Sequence, residues 1–177
     1  MTNEVQSLLQ EAWAHRREGD YDQAGAVLEK AHALADDQDF KSLGRIYHIY
    51  AQFSADHDKY DEAVISYRKS LSYYEQSGDH AKVAHSMRHV ADTLTQLGML
   101  EEAERAYHTV LDIYGSLPSA NPGNVANATA SFARLLAEAG KLNEAITAWT
   151  ETRALYSQIG FQAGVDEAEQ RLAVLGG

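Results

Sequence analysis

Hydrophobic and polar positions along this chain follow two periods. At short range apolar residues recur every three or four places. Phe161, Val165, Ala168, Leu172 and Leu175 are one such series, with Asp166, Glu167, Glu169, Gln170 and Arg171 filling the opposite side. That spacing predicts amphipathic helices. At long range a block of small, turn-forming and bulky residues returns in fixed order. In ADTLTQLGMLEEAERAY, Ala91 precedes a Leu-Gly turn at Gly98, and Leu100, Ala103 and Tyr107 follow. Two antiparallel helices joined at Gly98 would bring Ala91 against Ala103. Neither side chain is long enough to hold the backbones apart, and Leu100 and Tyr107 would fill the flanks.

The block occurs four times. Ala12 pairs with Ala24, Ala51 with Ala63, Ala91 with Ala103 and Ala133 with Ala145, always twelve residues apart. The turn slot reads Gly19, Asp58, Gly98 and Gly140, and two places later stand Tyr21, Tyr60, Leu100 and Leu142. The bulky slot four residues after the second alanine holds Leu28, Tyr67, Tyr107 and Trp149. Slots of three chemistries recurring together predict four helical hairpins, at about residues 3–36, 40–77, 80–115 and 122–158. The first helix is expected to start after a cap at Thr2 or Asn3, and the third to start after Asp39. Pro118 and Pro122, the two prolines of the chain, share one loop, and Pro122 suits a first helical turn behind Asn121. The amphipathic segment at 161–175 reads as a capping helix, covering the last repeat and turning its charged side to water. No linker or low-complexity tract interrupts residues 1–177, which are expected to form a single domain.

These slots resemble the motif of the tetratricopeptide repeat family, over roughly residues 5–157. The resemblance implies an all-α fold, a right-handed superhelix of helical hairpins (a TPR-like solenoid). Spacings of 39, 40 and 42 residues between successive second alanines exceed the usual period of about 34. The slots where the family usually places proline hold Asp36, Glu75, Gly115 and Ser157. Both departures are similar to the longer-period branch that includes kinesin light chain. That branch often carries paired asparagines on its groove, whereas Arg88 and His89, then Ala130 and Ser131, stand here.

Composition narrows the classes of partner. With 15 Lys and Arg against 26 Asp and Glu, the net charge is −11, which argues against nucleic acid and anionic membrane. There are no cysteines, so disulfides and thiolate chemistry are excluded. No apolar run reaches membrane-spanning length and the start is polar without a basic flank, so a cytoplasmic location is expected.

In the family the first helices line a concave groove that receives an extended peptide or a helix of a partner. The positions this implies are Arg45, His48 and Gln52, with Ile49 beside them; His85, Arg88, His89 and Asp92; and Asn127, Ser131 and Arg134. Trp13 and Arg16 occupy the first repeat. Arginine can clamp a carboxylate through two parallel bonds, and Asn or Gln can pair with a peptide amide. The carboxylate clamp by which some family members hold heat-shock chaperones is not reproduced, since His48, Ile49, Arg88 and His89 fill its slots. His85 and His89 lie four apart and His48 one repeat earlier, so three imidazoles and Asp92 offer zinc-ligand chemistry. No dedicated metal motif accompanies them, and no metal or cofactor is assigned. The plainer reading is hydrogen bonding, with a charge that changes near neutral pH.

Tyr21, Tyr60, Tyr67, Tyr107 and Trp149 read as packing residues. Nucleophile elbow, phosphate-binding loop and HExxH are missing, so no catalytic residue is expected. The sequence thus points to a non-catalytic protein-interaction module. A self-associating scaffold is the alternative, and a small-ligand or metal sensor working through the histidines ranks third.

Overall fold

The computed structural model describes residues 3–176, the Asn3 side chain excepted. The expected capping by Thr2 or Asn3 lies outside the described residues and side chains. Among the described residues the elements are α1 (Asn3–Glu18), α2 (Tyr21–Leu34), α3 (Phe40–Asp56), α4 (Tyr60–Ser77) and α5 (His80–Gln96). They continue with α6 (Leu100–Ser116), α7 (Pro122–Glu138), α8 (Leu142–Gln158) and α9 (Gln162–Gly176), with no strand. Their boundaries match the expected ones to within a residue or two. The chain forms two compact units that meet between Ser86 and Met87, inside α5.

The turns behave as the repeated slot requires. Gly19, Gly98 and Gly140 have φ of 81°, 71° and 75°, a left-handed conformation that costs a Cβ-bearing residue energy. Asp58 takes the same conformation, with φ 58°, and its carboxylate accepts a hydrogen bond from the Tyr60 hydroxyl at 2.8 Å. Helix starts are capped where the sequence supplies an acceptor. Asp39 accepts from the Ser42 backbone N–H at 3.2 Å and from its hydroxyl at 2.9 Å. Asn121 accepts from the N–H groups of Gly123 and Asn124, with Pro122 opening α7 behind it.

In the first unit α1 packs on α2 and α3 on α4, and α1 and α2 both pack on α3. Val5, Leu9, Leu28, Ile46 and Ile49 fill the core beside Ala12 and Ala31. Arg16 ties α1 to α3, its Nε and Nη2 donating to the two carboxylate oxygens of Asp56 at 2.6 and 2.7 Å. Tyr21 adds a hydroxyl donor to the same carboxylate. One close approach within the unit is at Gly44. A Cβ there would stand 2.8 Å from the Tyr74 ring, while the Ser70 hydroxyl donates to the Gly44 carbonyl at 2.7 Å.

In the second unit α6 packs on α7, α7 on α8 and α8 on α9. Tyr107, Val110, Leu135, Leu136 and Trp149 are its largest fully buried side chains beside Leu94 and Thr129. The capping helix departs from expectation at its head. Phe161 precedes α9 and is 50% exposed, resting edge-on against the Tyr156 ring at 5.3 Å. Gly164 takes its place on the buried side, where a Cβ would meet the rings of Tyr156 and Phe161. Ala168 is buried, as the apolar series predicts, and Leu172 and Leu175 are half-buried.

Gly44 yields a prediction in which two effects compete. Alanine gains about 1 kcal/mol of helix propensity, but wedging a Cβ into the buried Tyr74 ring costs about 1–3 kcal/mol. Gly44→Ala is therefore expected to lower stability by about 1 kcal/mol, read as an earlier urea midpoint; a later midpoint would show that the ring yields freely.

Candidate functional site

The residues singled out on the first helices divide between the two units. In the second unit, Arg88, His89 and Asp92 lie half-buried on α5, one turn apart. Arg88 donates from Nη1 to Asp92 Oδ2 at 2.7 Å and from Nη2 to His89 Nε2 at 2.8 Å. A guanidinium only donates, so Nε2 accepts and the proton of the neutral ring sits on Nδ1, which faces Asp92 Oδ2 at 3.7 Å. The other Asp92 oxygen accepts from the Tyr107 hydroxyl on α6. One carboxylate thus joins α5 to α6 while holding the arginine.

Beside this network a cavity of about 400 Å³ opens between α5 and α7, its lining including Arg88, Asp92, Gln96, Ser131 and Arg134. Arg134 is held from the far side, Nε and Nη2 both donating to Glu167 of α9, with its guanidinium 5.5 Å from the centre of the Trp149 ring. Asn127 is fixed through its amide oxygen, which accepts from the Tyr156 hydroxyl at 2.8 Å. The structure therefore gathers Arg88, Asp92, Ser131 and Arg134 around one space and anchors Asn127 by a tyrosine.

The first unit presents a different arrangement. Arg45 is exposed on α3 and Gln52 is half-buried. His48 and Ile49 are buried, and Ile49 belongs to the core. The His48 ring lies 5.2 Å from Tyr67 and 5.1 Å from His85, with Nδ1 3.5 Å from the Ser86 hydroxyl. Ser86 in turn hydrogen-bonds Ser70 at 3.0 Å. In the first repeat Trp13 is 40% exposed, with the guanidinium of Arg17 4.7 Å from its ring centre, and Arg16 is committed to Asp56.

Sequence reasoning missed the hydroxyls. Tyr107 packs in its expected slot and Tyr156, not singled out in the sequence, is buried as well, but each also reaches a polar residue of a first helix, Asp92 and Asn127. The available signal was the choice of ten tyrosines against four phenylalanines in a chain whose aromatic slots read as core. Glu167 and Asp56, which hold Arg134 and Arg16, carried no local signal because their partners lie 33 and 40 residues away.

The buried tyrosines give the molecule an alkaline limit. Burial pushes the Tyr74 phenol up to about 12, with Asp79 adding to the effect and Arg45 opposing it. Burial also raises Tyr107, where the Asp92 carboxylate adds to the shift, and raises Tyr114 and Tyr156. The folded chain holds these protons more tightly than the unfolded one. The stability this contributes is complete below the ordinary phenol value of 10.0 and, at Tyr74, is lost as pH rises to about 12. The last phenolates to form, those of the buried tyrosines, should therefore appear together with the loss of helical ellipticity, above that ordinary value. Phenolate forming fully while the helices persist would contradict the assignment.

Two family models, each described as tetratricopeptide repeat, match residues 7–42 and 42–116. No curated protein matches the sequence. Among solved structures, the kinesin light chain TPR-like repeats from Podosopora anserina are 17% identical, covering 97% of this chain and 88% of that one, with a TM-score of 0.72. BtubC from P. vanneervenii is 21% identical, covering 98% and 81%, with a TM-score of 0.69. Aspartyl phosphate phosphatase F from Bacillus subtilis has a TM-score of 0.86 at 11% identity, with 99% of this chain covering 46% of that one. Likeness at such identities is a likeness of fold. Together with helix pairs that each carry two buried alanines and turn at a left-handed residue, the matched models establish that the chain belongs to the tetratricopeptide repeat family.

Proposed function

We propose that the chain is a non-catalytic protein-interaction module that takes a partner segment, extended or helical, on the first helices of its helix pairs. Tetratricopeptide repeats generally mediate protein–protein interaction, and among the described residues no helix is long and apolar enough to cross a membrane. The observation that carries the reading is the polar cavity of about 400 Å³ between α5 and α7. Its arginines are held in place by carboxylates before any partner arrives, so little side-chain freedom is lost on binding. Each guanidinium has five donors; Arg134 directs Nε and Nη2 to Glu167, leaving its Nη1 edge for a partner. Ser131 and Gln96 supply groups that pair with a peptide backbone. In the first unit α3 carries groups of the same chemistry, the exposed Arg45 and the half-buried Gln52.

The test is a pair of substitutions at the cavity. A partner captured by cross-linking in the native cell and then purified should bind the Arg88→Ala, Arg134→Ala double variant about ten-fold more weakly or worse, as for loss of anchoring arginines. Circular dichroism checks that the variant remains folded. Unaltered affinity in a folded double variant would overturn the reading.

A further inference from the structure

The second unit carries another cavity, lined by α6, α7 and α8 and separate from the one between α5 and α7. Its α7 contributors are Thr129, Phe132 and Leu136, whereas Ser131, Arg134 and Glu138 line the other space. Each set lies two residues, about 200° of helical rotation, from the other, so the two cavities open on opposite sides of α7. We propose that this second cavity is a recognition site for a basic segment of a partner protein, taking one bulky apolar side chain between two flanking cations.

Size and lining select the anchor. The volume is about 240 Å³, and an engineered apolar cavity of about 150 Å³ accepts benzene, so one Leu, Met or Phe side chain fits with room at the mouth. Leu111, Phe132, Leu136 and Ala148 supply the apolar walls, with the His108 ring set edge-on to Phe132 at 5.0 Å. The two threonines of the lining offer no donor. The Thr129 hydroxyl donates to the Val125 carbonyl and that of Thr147 to the Asn143 carbonyl, both at 3.0 Å on their own helices.

Charge selects the flanks. The remaining polar groups of the lining are Glu144 and Glu151, both exposed on α8, and His108, whose Nε2 lies 4.0 Å from Glu104. Neither Glu144 nor Glu151 is in a salt bridge among the described residues. Seven residues apart, they project along one stripe about 10.5 Å long, and cations four residues apart on an extended segment share a face with the side chain midway between them, about 13 Å apart and within reach on lysine's flexible stem. Glu144 already acts electrostatically on Lys141 at the start of α8, and an acidic ligand would still meet like charge at both carboxylates. The net charge of −11 steers a basic segment toward the whole surface.

The probe is acetyl-Lys-Ala-Leu-Ala-Lys-amide, titrated at low salt into the full chain and followed by NMR. Shifts are expected at the Phe132 ring and at the methyls of Leu111, Leu136 and Ala148. The exposed double reversal Glu144→Lys, Glu151→Lys, checked for helicity, should weaken binding roughly ten-fold. Serine in place of the probe's leucine should weaken it at least as much. Shifts confined to Ser131 and Arg134, equal affinity for the reversed chain, or equal affinity for the serine probe would each overturn the proposal.

Discussion

Everything in this molecule depends on how closely two helix backbones approach at a pair of alanines. Ala12, Ala24, Ala51, Ala63, Ala91, Ala103, Ala133 and Ala145 all have no exposed surface. A methyl group at both sides of a crossing fixes a short interaxial distance, and that distance dictates what fits next to it. Tyr107 and Trp149, one turn beyond the second alanine, are buried to 1% exposure. The same geometry sets the reach of the tyrosines further along. From α6 and α8 their hydroxyls arrive at the surface of the preceding first helix, where Asp92 and Asn127 meet them.

The polar groups are thus supported from behind by packed aromatic residues. Asp92 illustrates the economy of the arrangement, since one carboxylate accepts from a tyrosine on the neighbouring helix and from an arginine on its own. Such a network polarises its members and resists rotamer change. Arg134 is braced in another way, by Glu167 of the capping helix. The helix α9, packed on α8, thus also orients a side chain that lines the cavity between α5 and α7.

Much of the fold was legible because its determinants are local. The alanine pairs, the left-handed turn slot, the Asp39 cap and the Asn121–Pro122 start each act within a dozen residues, and each stands where the sequence places it. The candidate site was legible only as a face. Helical spacing assigns His48 to the same side of α3 as Arg45, yet Arg45 is exposed while His48 is buried against Tyr67. A three-residue step rotates a side chain by about 300°, which is enough to carry it from the rim of a face into the seam between helices. Partners such as Arg16 and Asp56 were illegible for a related reason. Their pairing depends on how one hairpin rests on the next, and no local pattern encodes it. Phe161 shows the limit at an element's end, where the chain leaves helical phase and the apolar series no longer predicts which side is covered.

The alanine crossings have a consequence for lineage. Two methyl-bearing positions per helix pair, together with one turn residue, hold the architecture, and most outward positions are released from that duty. Descendants can exchange their surface chemistry almost wholesale while ancestry stays visible in backbone form, long after it has faded from residue identity. New surface chemistry can then accumulate at outward positions while the helix pairs are kept.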